Sequence, residues 1–161
     1  AGPISPLSKR DPAESKEIGD KAEDLIQKLL AASPSEIEEQ HPDVNEYPFN
    51  LQWDVVNTNK EYRPNFPGFD LEATREDKRL RVEVKGIKEK WKSVALTPTE
   101  IKWAYKTIED ETDNDGLPLE YWICIVENVF ENFEITAIDW TKQAGKTEIT
   151  FKETTWVKRR E

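Results

Sequence analysis

The chain has 161 residues, 36% apolar and 35% charged, and a formal net charge of −10 from 33 acids against 23 bases. That length suits one compact domain with a real core, and the acid excess argues against binding nucleic acid by bulk positive charge, though not against a local basic strip. A single cysteine, Cys124, rules out an internal disulfide, and neither a run of about 20 apolar residues nor a signal peptide is visible, so a cytoplasmic or nuclear protein is expected.

Residues 1–16 hold three prolines and no apolar periodicity, and read as a disordered tail or linker. The single domain is expected over 17–161. Ile18, Ala22, Leu25, Ile26, Leu29 and Leu30 recur at helical spacing and predict an amphipathic helix over 17–32. "SPSE" at 33–36 ends it, and 34–48 reads as a polar, proline-containing connection in which the one histidine, His41, stands exposed. "LQWDVVN", 51–57, predicts a strand, followed by a turn-rich loop over 57–68. "FDLEAT", 69–74, and "RLRVEVK", 79–85, alternate apolar and polar residues around the charged turn "REDK", as two strands of a hairpin do.

After Gly86 comes the basic loop "IKEKWK" and a short strand, "SVAL", at 93–96. "TPTE", 97–100, is a helix start: Thr97 caps, Pro98 suits the first helical position, and Glu100 completes a capping box. The helix runs past Ile108 until "DETDNDG" breaks it. "YWICIV", 121–126, is a continuous apolar run, as in a strand covered on both faces, with Cys124 a small buried thiol. "FEITAI", 133–138, and "EITFKETTWV", 148–157, read as later strands. This order predicts an α/β fold with a central mixed β-sheet flanked by helices.

A hairpin with its turn over Glu76 and Asp77 pairs Phe69 with Val84, Leu71 with Val82 and Ala73 with Leu80, putting these six residues on one apolar face. On the other face Asp70 then meets Glu83 and Glu72 meets Arg81, which relieves it. A one-residue slip would turn the apolar set outward, whereas a two-residue slip would keep the facing and change the partners. Like charges directly opposed destabilise a sheet by up to about 1 kcal/mol. Two readings follow. The charged face meets water, or Asp70 and Glu83 share a divalent cation, with Lys85 beside them to orient a water or neutralise a phosphate.

The blocks "IGDKAEDLI", "PGFDLEAT", "RVEVKG", "SVALTPTEIKWA" and "YWICIVENV" follow in an order that resembles the NO VEIN C-terminal-like domain. That domain is a branch of the PD-(D/E)XK restriction-endonuclease-like nuclease superfamily, and Asp70 with Glu83-Val84-Lys85 resembles its signature. The resemblance covers roughly 17–130. It implies a restriction-endonuclease-like fold in which Asp70 and Glu83 are metal-binding carboxylates, the Val84 main-chain carbonyl is a further ligand, and Lys85 is the catalytic lysine. Glu23, bordering the buried stripe of the first helix, matches the helix-borne acid that joins such sites; on geometry alone it reads equally as exposed. Thr97 and Glu100 match a Thr-x-x-Glu of the family, and read first as a cap and second as site residues.

The function these residues imply is Mg²⁺-dependent endonucleolytic hydrolysis of DNA, with Mn²⁺ as substitute, in the cleavage module of a larger restriction or DNA-processing polypeptide. Cutting both strands would call for a homodimer. Lys88, Lys90 and Lys92 would hold the DNA backbone while Trp91 stacks on a base or sugar; the alternative is a solvated loop with Trp91 packed. The alternative function is a non-catalytic DNA-binding or assembly domain that keeps the nuclease fold.

Overall fold

The computed structural model describes residues 12–58, 69–140, 147–150 and 155–159. Helix α1 (Pro12–Ala31) begins before the expected Glu17, so residues 12–16, read from sequence as tail, are helical. Residues 1–11 of that tail lie outside the described residues. Helix α2 (Pro34–Gln40) occupies part of the expected polar connection. Its start carries the same chemistry as "TPTE": Ser33 accepts a hydrogen bond from the Glu36 N–H, and Pro34 opens the first turn. His41 closes α2 and lies against the Phe133 ring at 5.6 Å between centroids, half-buried rather than exposed.

Five strands form the main sheet in the order β1 (Asp54–Asn57), β2 (Leu71–Thr74), β3 (Arg79–Ile87), β5 (Leu119–Glu127) and β6 (Glu134–Asp139). All neighbours are antiparallel except β3 and β5, so the sheet is mixed, as expected. A second sheet has the order β4 (Ser93–Leu96), β8 (Thr155–Arg159), β7 (Thr147–Thr150). The stretch read from sequence as one strand, 148–157, is therefore two antiparallel strands, with 151–154 outside the described residues. Helix α3 (Pro98–Asp110) joins β4 to β5. No helix among the described residues is long and apolar enough to cross a membrane.

The hairpin register is the one the alternation predicts: Leu71 opposes Val82, Glu72 opposes Arg81, and Ala73 opposes Leu80. Leu71, Ala73, Leu80, Val82 and Val84 pack on the α1 stripe of Ile18, Ala22, Ile26 and Leu30. Gly86 allows that approach, because a Cβ there would stand 2.8 Å from the Ile18 carbonyl oxygen and 2.9 Å from the Ala22 Cβ. On the opposite face, Tyr121, Ile123 and Ile125 of β5 pack with Ala104 of α3, Val94 and Leu96 of β4, and Trp91. Strand β5 is buried throughout, as a parallel-paired central strand with both faces covered should be.

Two expectations about facing fail. Phe69 does not share the Leu71 face: β2 begins at Leu71, and Phe69 turns to the α3 side. Nor does the charged face of the hairpin meet open water, because α3 packs along that side and Glu83 is only 3% exposed.

Candidate active site

The first carboxylate is held by backbone. The Asp70 N–H donates to the Val82 carbonyl at 3.0 Å, and its own carbonyl accepts from the Thr58 N–H at 2.9 Å. The Thr58 hydroxyl also donates to the Phe69 carbonyl. Thus the end of β1 pins residues 69 and 70 where β2 has yet to start. The Asp70 side chain takes the place of a ladder partner: its Oδ2 accepts from the Val84 N–H at 2.8 Å. The N–H and C=O of one strand residue point to the same side, so the Val84 carbonyl also faces the gap beside Asp70. Pro67 and Gly68, which precede this turn in the sequence motif, lie outside the described residues.

The second carboxylate is buried on the same side. Glu83 Oε1 lies 3.6 Å from Lys85 Nζ, and Oε2 is buried with no basic or neutral donor on it among the described residues. The carboxyl group lies against that of Glu100, close enough to share a hydrogen bond when one of the two is protonated. Burial, then repulsion by Asp70, holds the Glu83 carboxyl well above the usual carboxylate range; Lys85 opposes the shift and Glu100 adds to it. An uncompensated carboxylate in such a place costs several kcal/mol if it stays charged, so without a cation Glu83 keeps its proton over a wider pH range than an ordinary glutamate.

Lys85 is held from above by α3. Its Nζ donates to Glu100 at 2.9 and 3.3 Å. Burial alone would lower the Lys85 pKa, but Glu83 and Glu100 reverse the sign and the net shift is upward. For Glu100 burial is the largest single influence and pushes up, but the Lys85 charge and the hydrogen bonds with Glu83, the Thr97 N–H and Lys85 together outweigh it, and the net shift is downward. Lys85 and Glu100 are thus the ionised pair, and Glu83 is the group that yields. Glu100 does double duty: its carboxylate accepts the Thr97 N–H at 2.8 Å, closing the reciprocal capping box with the Thr97 hydroxyl. Both sequence readings of Thr97 and Glu100 are therefore compatible, since the cap aims the carboxylate that holds the lysine. The signal was in "TPTE"; what it could not give was the distance from α3 to Lys85.

The other candidates divide. Glu23, half-buried on α1, accepts from Asn57 Nδ2 at 3.3 Å, so it stands against the end of β1 rather than in open solvent. Among the described residues no three or more His, Cys, Asp or Glu side chains form a ready metal cage, so Glu23 is not gathered with Asp70 and Glu83 into one. Lys90 and Lys92 are exposed; Lys88 is exposed but paired with Glu14 of α1 at 3.0 Å. Trp91 does not offer a stacking surface. It is 2% exposed, lies in the core on the α3 side, and donates its Nε1–H to Thr136 at 3.3 Å. Arg81 opposes Glu72 as expected and attracts it electrostatically, but forms no ion pair with it among the described residues. Arg79 approaches Glu72 at 3.9 Å, while Arg81 donates to Thr107 at 2.9 Å and lies over the rings of Trp103 and Phe69.

A family model described as Protein NO VEIN, C-terminal, matches residues 35–138, which is more than half of the chain. No curated protein sequence matches significantly. Among solved structures, one similar chain is Hjc, a Holliday junction resolvase from the archaeal hyperthermophile Archaeoglobus fulgidus. It has 14% identity and a TM-score of 0.42, with 66% of this chain and 76% of that chain covered, a likeness too distant to assign an activity.

Proposed function

The chain belongs to the family of the NO VEIN C-terminal domain, and from that premise we propose that it is a restriction-endonuclease-like nuclease domain that hydrolyses DNA phosphodiesters with a divalent cation. The observation that carries the reading is Glu83: a carboxyl buried beside Asp70, with one oxygen that receives no donor N–H or O–H from a neutral or basic group among the described residues, a lysine 3.6 Å from the other, and the acidic Glu100 side chain as its hydrogen-bonding neighbour. Buried polar atoms in folded proteins are normally satisfied, so an orphan of this kind needs a reason. A bound ion is such a reason.

The donors suit a hard cation. Asp70, Glu83 and the Val84 carbonyl offer oxygen only, and Mg²⁺ is commonly held by one or two carboxylates with waters and substrate phosphate completing its shell. A three-acid cage is not required. Glu23 would join through water. When bound, the ion supplies Lewis acidity and a water of lowered pKa. The chain supplies the rest. Asp70, fixed by the Val84 N–H, keeps its position without rotamer freedom. Glu83 would bind the ion as the carboxylate, its proton passing to solvent. Lys85, kept cationic by Glu100, orients the attacking water or meets the charge that develops on the phosphate. The exposed Lys90 and Lys92 hold the strand's backbone electrostatically.

The test is cleavage of supercoiled plasmid and labelled oligonucleotides with Mg²⁺ or Mn²⁺ against a chelator. Asp70→Ala, Glu83→Gln and Lys85→Ala are each expected to lose about 10²-fold or more in rate with the fold intact by circular dichroism. Variants that cleave as well as the parent chain would sink the assignment. DNA binding that ignores both metal and Asp70→Ala, with no cleavage by the parent, would favour the non-catalytic binding module instead.

A further inference from the structure

Beside the carboxylates lies an open cleft of about 690 Å³, between the start of β3, α3 and the turn after it. Its lining includes Arg79, Arg81, Trp103 and Lys106. Arg81 and Glu83 are two residues apart on the same face of β3, about 7 Å along the strand, and Phe69, which touches both Arg81 and Trp103, directly precedes Asp70. The cleft therefore continues the surface on which the carboxylates stand.

The charges in the cleft are not equivalent. Asp113 holds Arg79 at 3.0 Å and spends its other oxygen on the N–H groups of Asp115 and Leu117. Asp110 holds Lys106 at 3.2 Å. Arg81 forms no ion pair among the described residues. Its guanidinium carbon lies 5.1 Å from the Trp103 ring centre and 5.6 Å from that of Phe69, and the Thr107 hydroxyl accepts from Nη1 at 2.9 Å. Its Nε is buried with no hydrogen-bond partner. A guanidinium held this way, between two aromatic rings set at 74° to each other and with no carboxylate within ion-pair distance among the described residues, is positioned to meet a phosphate.

We propose that Arg81, with Trp103 and Lys106 around it, forms a second phosphate-binding subsite in this cleft, next to the Asp70–Glu83 centre. It takes the phosphate of a nucleic-acid strand or of a free nucleotide, and its place rests on the reading of the neighbouring carboxylates as a phosphodiester site. Arg81 binds and positions; it takes no part in bond breaking. Asp113 and Asp110 give their short contacts to Arg79 and Lys106 and, with Glu72, act on Arg81 only at longer range, so a phosphate that reaches the guanidinium displaces no ion pair among the described residues.

Binding is measured in chelator at low salt, so that cleavage does not enter, by anisotropy of a fluorescein-labelled oligonucleotide, single-stranded and duplex, with a nucleoside monophosphate as competitor. Arg81→Lys is expected to weaken binding about tenfold, since an ammonium cannot supply the planar fork, and Lys106→Ala about twofold. Lys28→Ala, which removes the same charge on α1 across the sheet, is expected to leave binding unchanged. Oligonucleotide binding that depends on Arg81 identifies the strand as the source. Monophosphate binding that depends on Arg81, without oligonucleotide binding, identifies the free nucleotide; both support the subsite. Equal losses in all three variants, no loss in Arg81→Lys, or no binding by the parent chain would overturn it. If Arg81→Lys fails to fold, unchanged binding in Lys106→Ala overturns it alone. Arg81-dependent binding without cleavage would leave this subsite standing and remove the nuclease reading; cleavage without Arg81 dependence would do the reverse.

Discussion

Two buried glutamates sit on neighbouring strands, and the protein treats them in opposite ways. Glu120, at the start of β5, is 6% exposed and lies on the α1 side of the sheet. The Tyr47 hydroxyl donates to it at 2.8 Å and the Trp122 indole at 2.9 Å, and Lys78 stands 3.6 Å from its other oxygen while lying over the Tyr47 ring. The Tyr47 phenol, pushed up by burial and by this hydrogen bond, remains a donor at every physiological pH. Glu83, on β3 and the other face, is equally buried, but among the described residues one of its oxygens receives no basic or neutral donor, its hydrogen-bonding neighbour is another acid, Glu100, and its lysine gives its short bonds to Glu100 instead. Glu120 is a satisfied structural carboxylate. Glu83 is a carboxylate held in reserve, and burial alone would not have distinguished the two; the inventory of partners does.

The largest effect should come from Glu120. Glu120→Ala strands the Tyr47 hydroxyl, the Trp122 N–H and Lys78, and is expected to cost about 3 kcal/mol of stability in urea unfolding, with Glu120→Gln costing clearly less because it keeps an acceptor. A smaller effect should come from the ion. Mg²⁺ at ten times its dissociation constant should stabilise the parent chain by about 1.4 kcal/mol, and chelator should remove that gain; an equal gain in Glu83→Gln would place the ion elsewhere. The smallest shift, and of opposite sign to that at Glu120, belongs to Glu83→Gln in chelator: it is expected to leave stability unchanged or raise it by about 1 kcal/mol at neutral pH, since a neutral amide replaces a carboxylate in an unfavourable place. The sign with pH follows. The folded-state value of Glu83 is raised, so its contribution is fully present below the ordinary value of 4.5 and is lost as pH rises through the folded value. Stability of the chelated parent should therefore fall across that window, and Glu83→Gln should flatten the slope. A slope that survives the substitution would mean that Glu83 is not the group in reserve.

Local chemistry alone determined a good deal. The alternation in 71–74 and 79–82 sets which side chains share the apolar face and leaves registers two residues apart open; the structure adopts the one with its turn over Glu76 and Asp77. The α1 stripe and the Thr97–Glu100 cap are equally local, because periodicity and capping act within a few residues. "SPSE", which reads as the end of α1, also carries the capping code of "TPTE" and starts α2, a short helix that the reading of 34–48 as a polar connection missed. What the alternation could not say is what covers the second face. A period of two separates the sides of a strand; whether the polar side meets water or a helix depends on an element far along the chain. Here that element is α3, whose Glu100 bonds Lys85 fifteen positions earlier, while the partner of Glu120, Tyr47, lies 73 positions away. The same distance effect took Trp91 into the core and left Arg81 stacked and without an ion pair among the described residues. Within β2 and β3 the sequence alone determined which residues share a face; only the tertiary structure decided where Phe69 turns and which faces are dry, because both depend on packing against elements far along the chain.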